Sequence, residues 1–383
     1  MVLTEDQKAL QETARRFARE RLLPDYQRRE RVGTLDRALV AEMGRLGLLG
    51  MDLPEACGGM GSDAVTTGLI AEELAYGDFN ISAVPVGISL NGAILQRHGS
   101  DALQREWIPR MCRGDAVVAI CLTEPRGGSD ASNLQLRARR DGDHYVINGE
   151  KTSITFADRA DAYLIFARTG APEEGARGVS AFFIPYAGTK GISRTHFDDV
   201  GSAVIGRGSV FFDDVRVPVS HRLGDEGKGF TQVMQGFDYS RALIGLQCVG
   251  AAQASLDEAW AYAKEREAFG RPIGQFQGVS FPLAEFDSQI AAVRQLCYHA
   301  LSLRDAGLPH TAEAAMCKWM GPKTAFDCIH QCLLTFGHYG WSKDLPHQQR
   351  LRDVMGLEIG DGTAQVMKLI IARERIGRVA VQY

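Results

Sequence analysis

The order of hydrophobic and polar positions divides the chain into three zones. In the first zone, apolar residues recur at helical spacing in LQETARRFARERL, and Thr4 followed by Gln7 forms a capping-box signal for a helix start. Further helical runs occupy residues 64–77, 82–98 and 101–113. We therefore expect residues 1–117 to form an N-terminal helical domain.

The second zone changes to the period of β-strands. Short segments rich in β-branched and aromatic residues, such as HYVINGEKTSITF and VSAFFIPY, are separated by turn signals such as NG and RDGDH. The segments predict seven or eight strands. We expect residues 118–222 to form a compact, β-barrel-like domain.

The third zone returns to helical spacing. Long stretches with few helix breakers cover residues 226–265, 276–306 and 309–337, and a further apolar-periodic helix follows near the C-terminus. Long helices in series favour a four-helix bundle over residues 223–383. The expected fold class is α+β, with a helical domain, a β domain and a helical bundle in that order.

Composition and charge narrow the functional classes. The chain of 383 residues has a formal net charge of −4, which argues against a protein that binds nucleic acid or an anionic membrane. No apolar run approaches the roughly 18–20 residues of a membrane helix, and the first residues lack a secretory pattern. Eight scattered cysteines without CxxC spacing indicate reduced, mostly buried thiols and no metal site. We therefore expect a cytoplasmic protein.

Candidate chemistry first appears near the start of the β zone. The loop CLTEPRGGSD (121–130) follows an apolar strand and offers backbone amides at its glycines, together with the hydroxyl of Ser129. One hairpin later, Ser153 and Thr155 of GEKTSITFA (149–157) can face the same side of their strand. The two segments can bind a planar heterocycle with an anionic tail, and a plain surface turn is the alternative for a single Gly-rich loop.

Two segments of the third zone carry polar residues that a simple turn does not need. In REAFGRPIGQFQ, a turn between helices requires the glycines but not Arg266 or Gln277. In GLEIGDGTAQV, Asp361 stands between Gly360 and Gly362 at the start of the last helix. Asp361 is either only the cap of that helix or the group that performs the chemistry, and its residue type fits both interpretations.

Together these segments resemble the acyl-CoA dehydrogenase family over nearly the whole chain. The motifs TEPxxGSD, NGxKxxIT, RxxFGxxIxxFQ, RD and DGTxQ followed by xIARE occur in the order and spacing of the family. Within the family, residues 237–260 are most similar to the cyclohexanecarboxyl-CoA dehydrogenase branch. The resemblance implies FAD bound without a covalent bond, a CoA-thioester substrate, a homotetramer and an electron-transferring flavoprotein as electron acceptor.

The resemblance also implies roles for single residues. Those implied in FAD binding are Leu122, Thr123, Gly128, Ser129, Ser153, Thr155, Arg266, Phe269, Gln277, Thr363 and Gln365, of which Arg266, Phe269 and Gln277 reach the FAD of a neighbouring subunit. Those implied in substrate binding are Ser129, Asp238, Arg241, Gly360 and Gly362, of which Asp238 and Arg241 hold the CoA portion.

The reaction implied by the resemblance is α,β-dehydrogenation. Asp361 falls where many relatives have a catalytic glutamate, and it would remove the α proton while a hydride passes from the β carbon to flavin N5. Its backbone N–H, with a ribityl hydroxyl of FAD, would polarise the thioester carbonyl. Ser240 occupies the position where some relatives place their base instead, and serine is not basic at neutral pH.

The chain departs from the family pattern close to these groups. Aspartate in place of glutamate at Asp361 shortens the reach by about 1.5 Å, and Gly360 replaces a bulky aromatic residue. Ser153 stands where an aromatic often packs on the flavin, and Leu334 and His338 replace the usual Gln and Gly on the adenine side of FAD. The first two changes make room for a substrate branched at the α carbon, so we favour conversion of cyclohexanecarboxyl-CoA to cyclohex-1-enecarboxyl-CoA.

Two alternative functions agree with parts of this interpretation. In one, the same enzyme acts on a branched short-chain or aryl-alkyl acyl-CoA, or runs in reverse as a CoA-dependent reductase. In the other, the chain is a flavin-binding regulatory protein that has lost dehydrogenation. The retained acid at Asp361 argues against the second alternative.

Overall fold

The N-terminal part of the chain is helical. The structure, a computed structural model, describes residues 2–379. Thr4 caps the first helix, and its reciprocal hydrogen bonds with Gln7 complete the predicted capping box. The helices are α1 (Glu5–Phe17), α2 (Tyr26–Val32), α3 (Arg37–Arg45), α4 (Ala64–Gly77), α5 (Phe79–His98) and α6 (Asp101–Cys112).

A π-helical turn over Ala18–Leu22 separates α1 from α2, although the sequence continues at α-helical spacing. At this turn the chain lies against Gly77, where an added Cβ would be 2.4 Å from the carbonyl oxygen of Ala18. The close contact with α4 therefore coincides with the change of helix type, which local periodicity does not reveal.

The middle of the chain forms one eight-stranded sheet. Its strands are β1 (Val118–Cys121), β2 (Arg137–Asp141), β3 (His144–Thr155), β4 (Ala162–Arg168), β5 (Val179–Pro185), β6 (Ile192–Arg194), β7 (Arg207–Pro218) and β8 (Arg222–Leu223). They lie in the order β6–β7–β3–β2–β4–β5–β8, with β1 paired in parallel to β4. The predicted β domain is confirmed, and its path of strand pairing is open at β6 and β8.

The rest of the chain returns to helix. Its elements are α7 (Gly229–Glu265), the short hairpin of β9 (Glu267–Ala268) and β10 (Arg271–Pro272), α8 (Gln277–Asp305), α9 (Thr311–Thr335), α10 (His347–Ile359) and α11 (Ala364–Ile376). The long helices α7, α8, α9 and the last helix α11 match the prediction. Helix α10 is an addition, since most of the residues that it buries are polar or charged and no apolar stripe in HQQRLRDVMGLEI indicates it.

Two apolar clusters form the core and meet at α4 and α5. One joins the N-terminal helices to the sheet, where Trp107 of α6 lies edge-on to Phe183 of β5 with ring centres 5.0 Å apart. The other joins α7, α8 and α9 to further residues of α4 and α5. Within residues 2–379, none of the helices has the length and apolar character needed to cross a membrane.

Asp353 of α10 joins the three parts of the molecule. Its carboxylate accepts hydrogen bonds from Tyr26 Oη of α2 at 2.5 Å and from Asn80 Nδ2 of α5 at 2.8 Å. It also accepts one from the backbone N–H of Ser202, in the loop between β6 and β7, at 2.6 Å. All of these contacts link segments far apart in sequence, so Asp353 fixes α10 against both other domains.

We expect Asp353→Ala to lower the free energy of unfolding by about 3 kcal/mol or more, because each buried donor left without a partner costs about 1–3 kcal/mol. Denaturant unfolding measures the change. Asp344→Ala, which removes an exposed carboxylate from the loop before α10, is the matched control. Equal stability of the two variants would contradict this account of the junction.

Candidate active site

Asp361 lies in the short turn between α10 and α11. Its φ is +54° and that of Gly362 is +101°, so the backbone turns sharply through two positive φ angles. The N-cap of α11 is Thr363, whose hydroxyl accepts a hydrogen bond from the backbone N–H of Val366 at 3.3 Å. The interpretation of Asp361 as only the helix cap is therefore wrong.

Asp361 is half-buried, and two cations, Lys318 and Arg241, lie close enough to affect the pKa of its carboxyl group. Burial raises the pKa of this carboxyl above its usual value, while the charge of Lys318 and then that of Arg241 lower it. The left-handed backbone of a residue other than glycine costs about 1–3 kcal/mol and often marks a functional site. A raised pKa and a constrained backbone are two features that a general base usually has.

Arg241 and Asp238 of α7 belong to the same polar cluster. The Arg241 side chain is only 4% exposed, and its Nη1 donates to Asp238 Oδ1 at 2.9 Å. The other oxygen of Asp238 accepts from the hydroxyl of Thr311 at 2.8 Å. Burial lowers the pKa of the Arg241 guanidinium, whereas Asp238 and Asp361 raise it. The structure thus places Asp238 and Arg241, which were predicted to bind the substrate, in the same cluster as Asp361.

Lys318 of α9 is the member of this cluster that the sequence analysis missed. Its side chain is 1% exposed, and its Nζ donates to the carbonyl oxygens of Leu357 at 2.5 Å and Gly362 at 3.1 Å. The available signal was a lone lysine in the small and apolar run AEAAMCKWM. Ser240, by contrast, is buried and directs its hydroxyl to the carbonyl oxygen of Phe237 at 3.5 Å.

A second cluster joins the loop 121–130 to β3. The fully buried Lys151 donates from Nζ to the carbonyl oxygen of Leu122 at 2.9 Å and to Glu124 Oε1 at 2.7 Å. The backbone N–H of Thr152 donates to the carbonyl oxygen of Thr123 at 2.9 Å. Burial lowers the pKa of Lys151 to about 8, against the opposing charge of Glu124.

Ser153 and Thr155 lie beside this junction on the exposed side of β3. The pairing of β3 with β7 shifts register between Lys151 and Ile154, and Ser153 has a φ of +57°. As a result Ile154 points into the core while the two hydroxyl residues on either side of it are exposed. Gly128 and Ser129 are exposed on the neighbouring loop and Thr123 is half-buried there, whereas Leu122 is buried, so only part of the predicted set reaches this surface region.

The remaining candidate residues lie at the surface of the helical domain. Phe269 and Gly270 have φ angles of +54° and +77° and form the turn of the β9–β10 hairpin, so that Phe269 is 95% exposed. Arg266 and Gln277 flank this hairpin and are exposed too, as is Gln365 in the first turn of α11. No side-chain hydrogen bond or ion pair within residues 2–379 joins Arg266, Phe269 or Gln277 to Asp361 or to the β domain.

Comparisons with known proteins give matches over nearly the whole chain. Family models for the N-terminal, middle and C-terminal domains of acyl-CoA dehydrogenases match residues 4–115, 119–215 and 227–376. The chain is 36% identical over 375 residues to the probable acyl-CoA dehydrogenase YngJ of Bacillus subtilis, covering 97% of this chain and 98% of that protein. The chain belongs to the acyl-CoA dehydrogenase family.

Solved structures of this family agree with that assignment. Butyryl-CoA dehydrogenase from Megasphaera elsdenii superimposes with a TM-score of 0.94 at 32% identity, covering 98% of this chain and 99% of that chain. Glutaryl-CoA dehydrogenase from Mycobacterium smegmatis, solved with FADH2, superimposes with a TM-score of 0.93 at 28% identity and covers 100% and 97% of the two chains. The predictions of a flavin-dependent acyl-CoA dehydrogenase and of FAD as its cofactor are confirmed at the level of the family.

The surface region of the β domain fits the FAD of an acyl-CoA dehydrogenase. The hydroxyls of Ser153 and Thr155, the loop after Leu122 and Thr123, and the exposed backbone at Gly128 supply the mixed donors and acceptors that a flavin ring edge requires. Lys151 of β3 holds the loop against the strand through its bonds to Leu122 and Glu124. We therefore expect the Lys151–Glu124 pair to determine how tightly this region binds the cofactor.

We expect Lys151→Met to weaken FAD binding by the apoprotein and to lower the free energy of unfolding by about 3–5 kcal/mol, because Glu124 is left buried without its partner. Flavin fluorescence titration and denaturant unfolding measure the two effects. Replacing Glu124 by Gln in the same chain removes the unpaired charge and keeps an acceptor for the backbone N–H groups of Gln135 and Leu136, so it should restore part of the stability but not the affinity. Lys190→Met, at an exposed lysine of the β5–β6 loop, is the control. Unchanged FAD affinity in Lys151→Met would contradict this role.

Proposed function

We propose that this acyl-CoA dehydrogenase oxidises an acyl-CoA that is branched at the α carbon, and specifically converts cyclohexanecarboxyl-CoA to cyclohex-1-enecarboxyl-CoA. Asp361 removes the α proton in this reaction. The observation that carries the proposal is the turn of Gly360 and Asp361, in which a short acid follows a residue without a side chain.

The glycine at 360 is not needed for the backbone. Gly360 has a φ of −62° and a ψ of 154°, which any residue adopts, and a Cβ added there would lie 3.4 Å from Gly356 O and 3.9 Å from Leu357 Cδ2. A larger residue is therefore compatible with the fold. Gly360 is exposed and brings no side chain next to Asp361, which suits an α carbon that carries two ring bonds.

The residues around Asp361 support its role as the base. Burial raises the pKa of its carboxyl, and the charges of Lys318 and Arg241 act in the opposite direction and favour the ionised form that a base needs. Asp238 and Arg241 are paired with each other in this cluster, and their contact with the CoA portion stays part of the proposal. FAD bound at Leu122, Thr123, Ser153 and Thr155 supplies the acceptor for the hydride from the β carbon.

Exposed residues of the β9–β10 hairpin support a site shared between subunits. A phenylalanine that is 95% exposed on a turn of positive φ is costly unless a second surface covers it. We propose that Arg266, Phe269 and Gln277 contact the FAD of a neighbouring subunit in a homotetramer. Leu334, exposed in the last turn of α9, and His338, in the turn after it, stand where relatives often have Gln and Gly on the adenine side of FAD.

The cellular setting belongs to the same proposal. The enzyme is proposed to be cytoplasmic and to pass electrons to an electron-transferring flavoprotein. A branched short-chain or aryl-alkyl acyl-CoA is the alternative substrate, and the substrate comparison below separates it from the ring ester. The enclosed acid at Asp361 favours catalysis over a regulatory role.

We expect Asp361→Asn to bind FAD normally and to lower kcat by about 10²- to 10⁴-fold, the usual contribution of a general base. Stopped-flow bleaching of the flavin by the best acyl-CoA substrate measures the rate. Glu358→Gln, which neutralises the nearby acid in the last turn of α10, is the control and should retain most activity. The assignment is wrong if the two variants show the reverse order.

We expect the wild-type enzyme to prefer cyclohexanecarboxyl-CoA over butyryl-CoA and octanoyl-CoA in kcat/KM. Gly360→Tyr should reduce kcat/KM for the ring ester by about 10- to 200-fold relative to butyryl-CoA, because it fills the space beside the α carbon. Gly360→Ala adds only a Cβ and should have a small effect. A wild-type preference for the linear esters would remove the ring ester as the substrate.

A further inference from the structure

Lys318 forms hydrogen bonds on both sides of Asp361 in the chain. It is a buried residue in the middle of α9, and its ammonium donates to Leu357 O in the last turn of α10 and to Gly362 O after the turn. Asp361 lies between these two carbonyls in sequence. One side chain therefore ties together the chain before the acid and the chain after it.

The bond to Leu357 has a clear physical basis. Helix α10 ends where Gly360 becomes extended, after its N–H bonds to Gly356 O at 2.9 Å. The next carbonyl, that of Leu357, belongs to the last turn of a helix, whose carbonyl groups lack helical partners and carry partial negative charge. A buried ammonium stabilises such a carbonyl and so fixes the place where the helix ends.

The charge of Lys318 acts on Asp361 in addition to these bonds. The nearby Arg241 already donates to Asp238 at 2.9 Å, so part of its charge is compensated. The two oxygens that Lys318 bonds are neutral carbonyls. Burial lowers the pKa of Lys318. Asp361 is the strongest of the groups that raise this pKa, followed by Cys248 of α7. Arg241 lowers it by a smaller amount, and Glu358 of α10 raises it by the smallest amount.

We propose that Lys318 is a positioning residue for the catalytic base: its bonds to the carbonyl oxygens of Leu357 and Gly362 fix the turn that carries Asp361, and its ammonium charge acts on the carboxyl group. The proposal rests on the proposed role of Asp361. A purely structural lysine would hold the end of α10 but would leave the pH dependence of the reaction unchanged.

Two variants of Lys318 separate charge from hydrogen bonding. Lys318→Gln keeps an N–H donor and removes the charge, whereas Lys318→Arg keeps the charge. Lys323→Gln is the matched control, because Lys323 lies on the same helix but is exposed and pairs with Asp327. The holoenzymes are compared with whichever acyl-CoA the wild type oxidises fastest, and kcat is measured over the range of pH.

We expect the acid limb of the kcat profile to move to higher pH by about one to three units in Lys318→Gln, because a nearby opposite charge lowers a carboxyl pKa by about that amount. At the pH of the wild-type acid limb, kcat should therefore fall at least tenfold and recover as the pH rises. Lys318→Arg and Lys323→Gln should keep the wild-type limb. KM should change less than kcat.

A second readout does not depend on turnover. Difference infrared spectroscopy follows the carbonyl stretch of a protonated carboxylic acid, with Asp361→Asn as the blank that identifies the band. The titration of this band should move to higher pH in Lys318→Gln by the same shift as the kinetic profile. In the Asp361→Asn background, Lys318→Gln should cause little further loss of residual turnover, since the two residues act as one unit.

An unchanged acid limb in folded Lys318→Gln would overturn the proposal, as would full additivity with Asp361→Asn. Failure of Lys318→Gln to fold, with Lys318→Arg folded and normal, would assign Lys318 to folding alone and overturn it as well. Failure of the proposed function is a different result. It appears as high activity of Asp361→Asn or as a preference for linear esters by the wild type, and neither depends on the Lys318 variants.

Discussion

The turn that carries Asp361 depends on the balance between the burial of its carboxyl group and the charges of the residues near it. Burial raises the pKa of the Asp361 carboxyl and so disfavours the ionised form that a base needs, whereas the charges of Lys318 and Arg241 favour it. Lys318 and Arg241 oppose the cost of burial without a direct side-chain bond to the acid among the described residues. The acid therefore stays available to a substrate, which a tight ion pair would prevent.

Buried charges serve a related purpose elsewhere in the molecule. Lys151 and Glu124 hold the loop of the β domain against β3, and Asp353 holds α10 against both other domains. Buried ion pairs contribute little net stability compared with apolar packing, but their geometry is specific. In this enzyme the Lys151–Glu124 pair, and the hydrogen bonds of Asp353 to the neutral donors of Tyr26, Asn80 and Ser202, join segments that are distant in sequence.

Much of the architecture can be predicted from the spacing of apolar residues, but the contacts within the site cannot. The helical runs at 64–77 and 101–113 and the change to strands after them follow from local patterns. Helix α10 and the π-helical turn depend on packing against other segments, which no local pattern records. Asp361 and Thr363 are both good N-caps two residues apart, so only the backbone angles decide which of them caps α11. Lys318 meets its partners across 39 and 44 residues, and only the folded chain brings them together.

The two glycines beside Asp361 show how the structure separates a folding requirement from a functional one. Gly362 has a φ of +101°, and a Cβ there would lie 2.5 Å from Met367 Cε, so the backbone itself requires glycine. Gly360 has ordinary angles and no such contact. Glycine also gives up more conformational freedom on folding than any other residue, by roughly 0.5–1 kcal/mol relative to alanine within regular structure. A glycine that the fold does not require, next to the base, is explained if the vacant space receives the substrate.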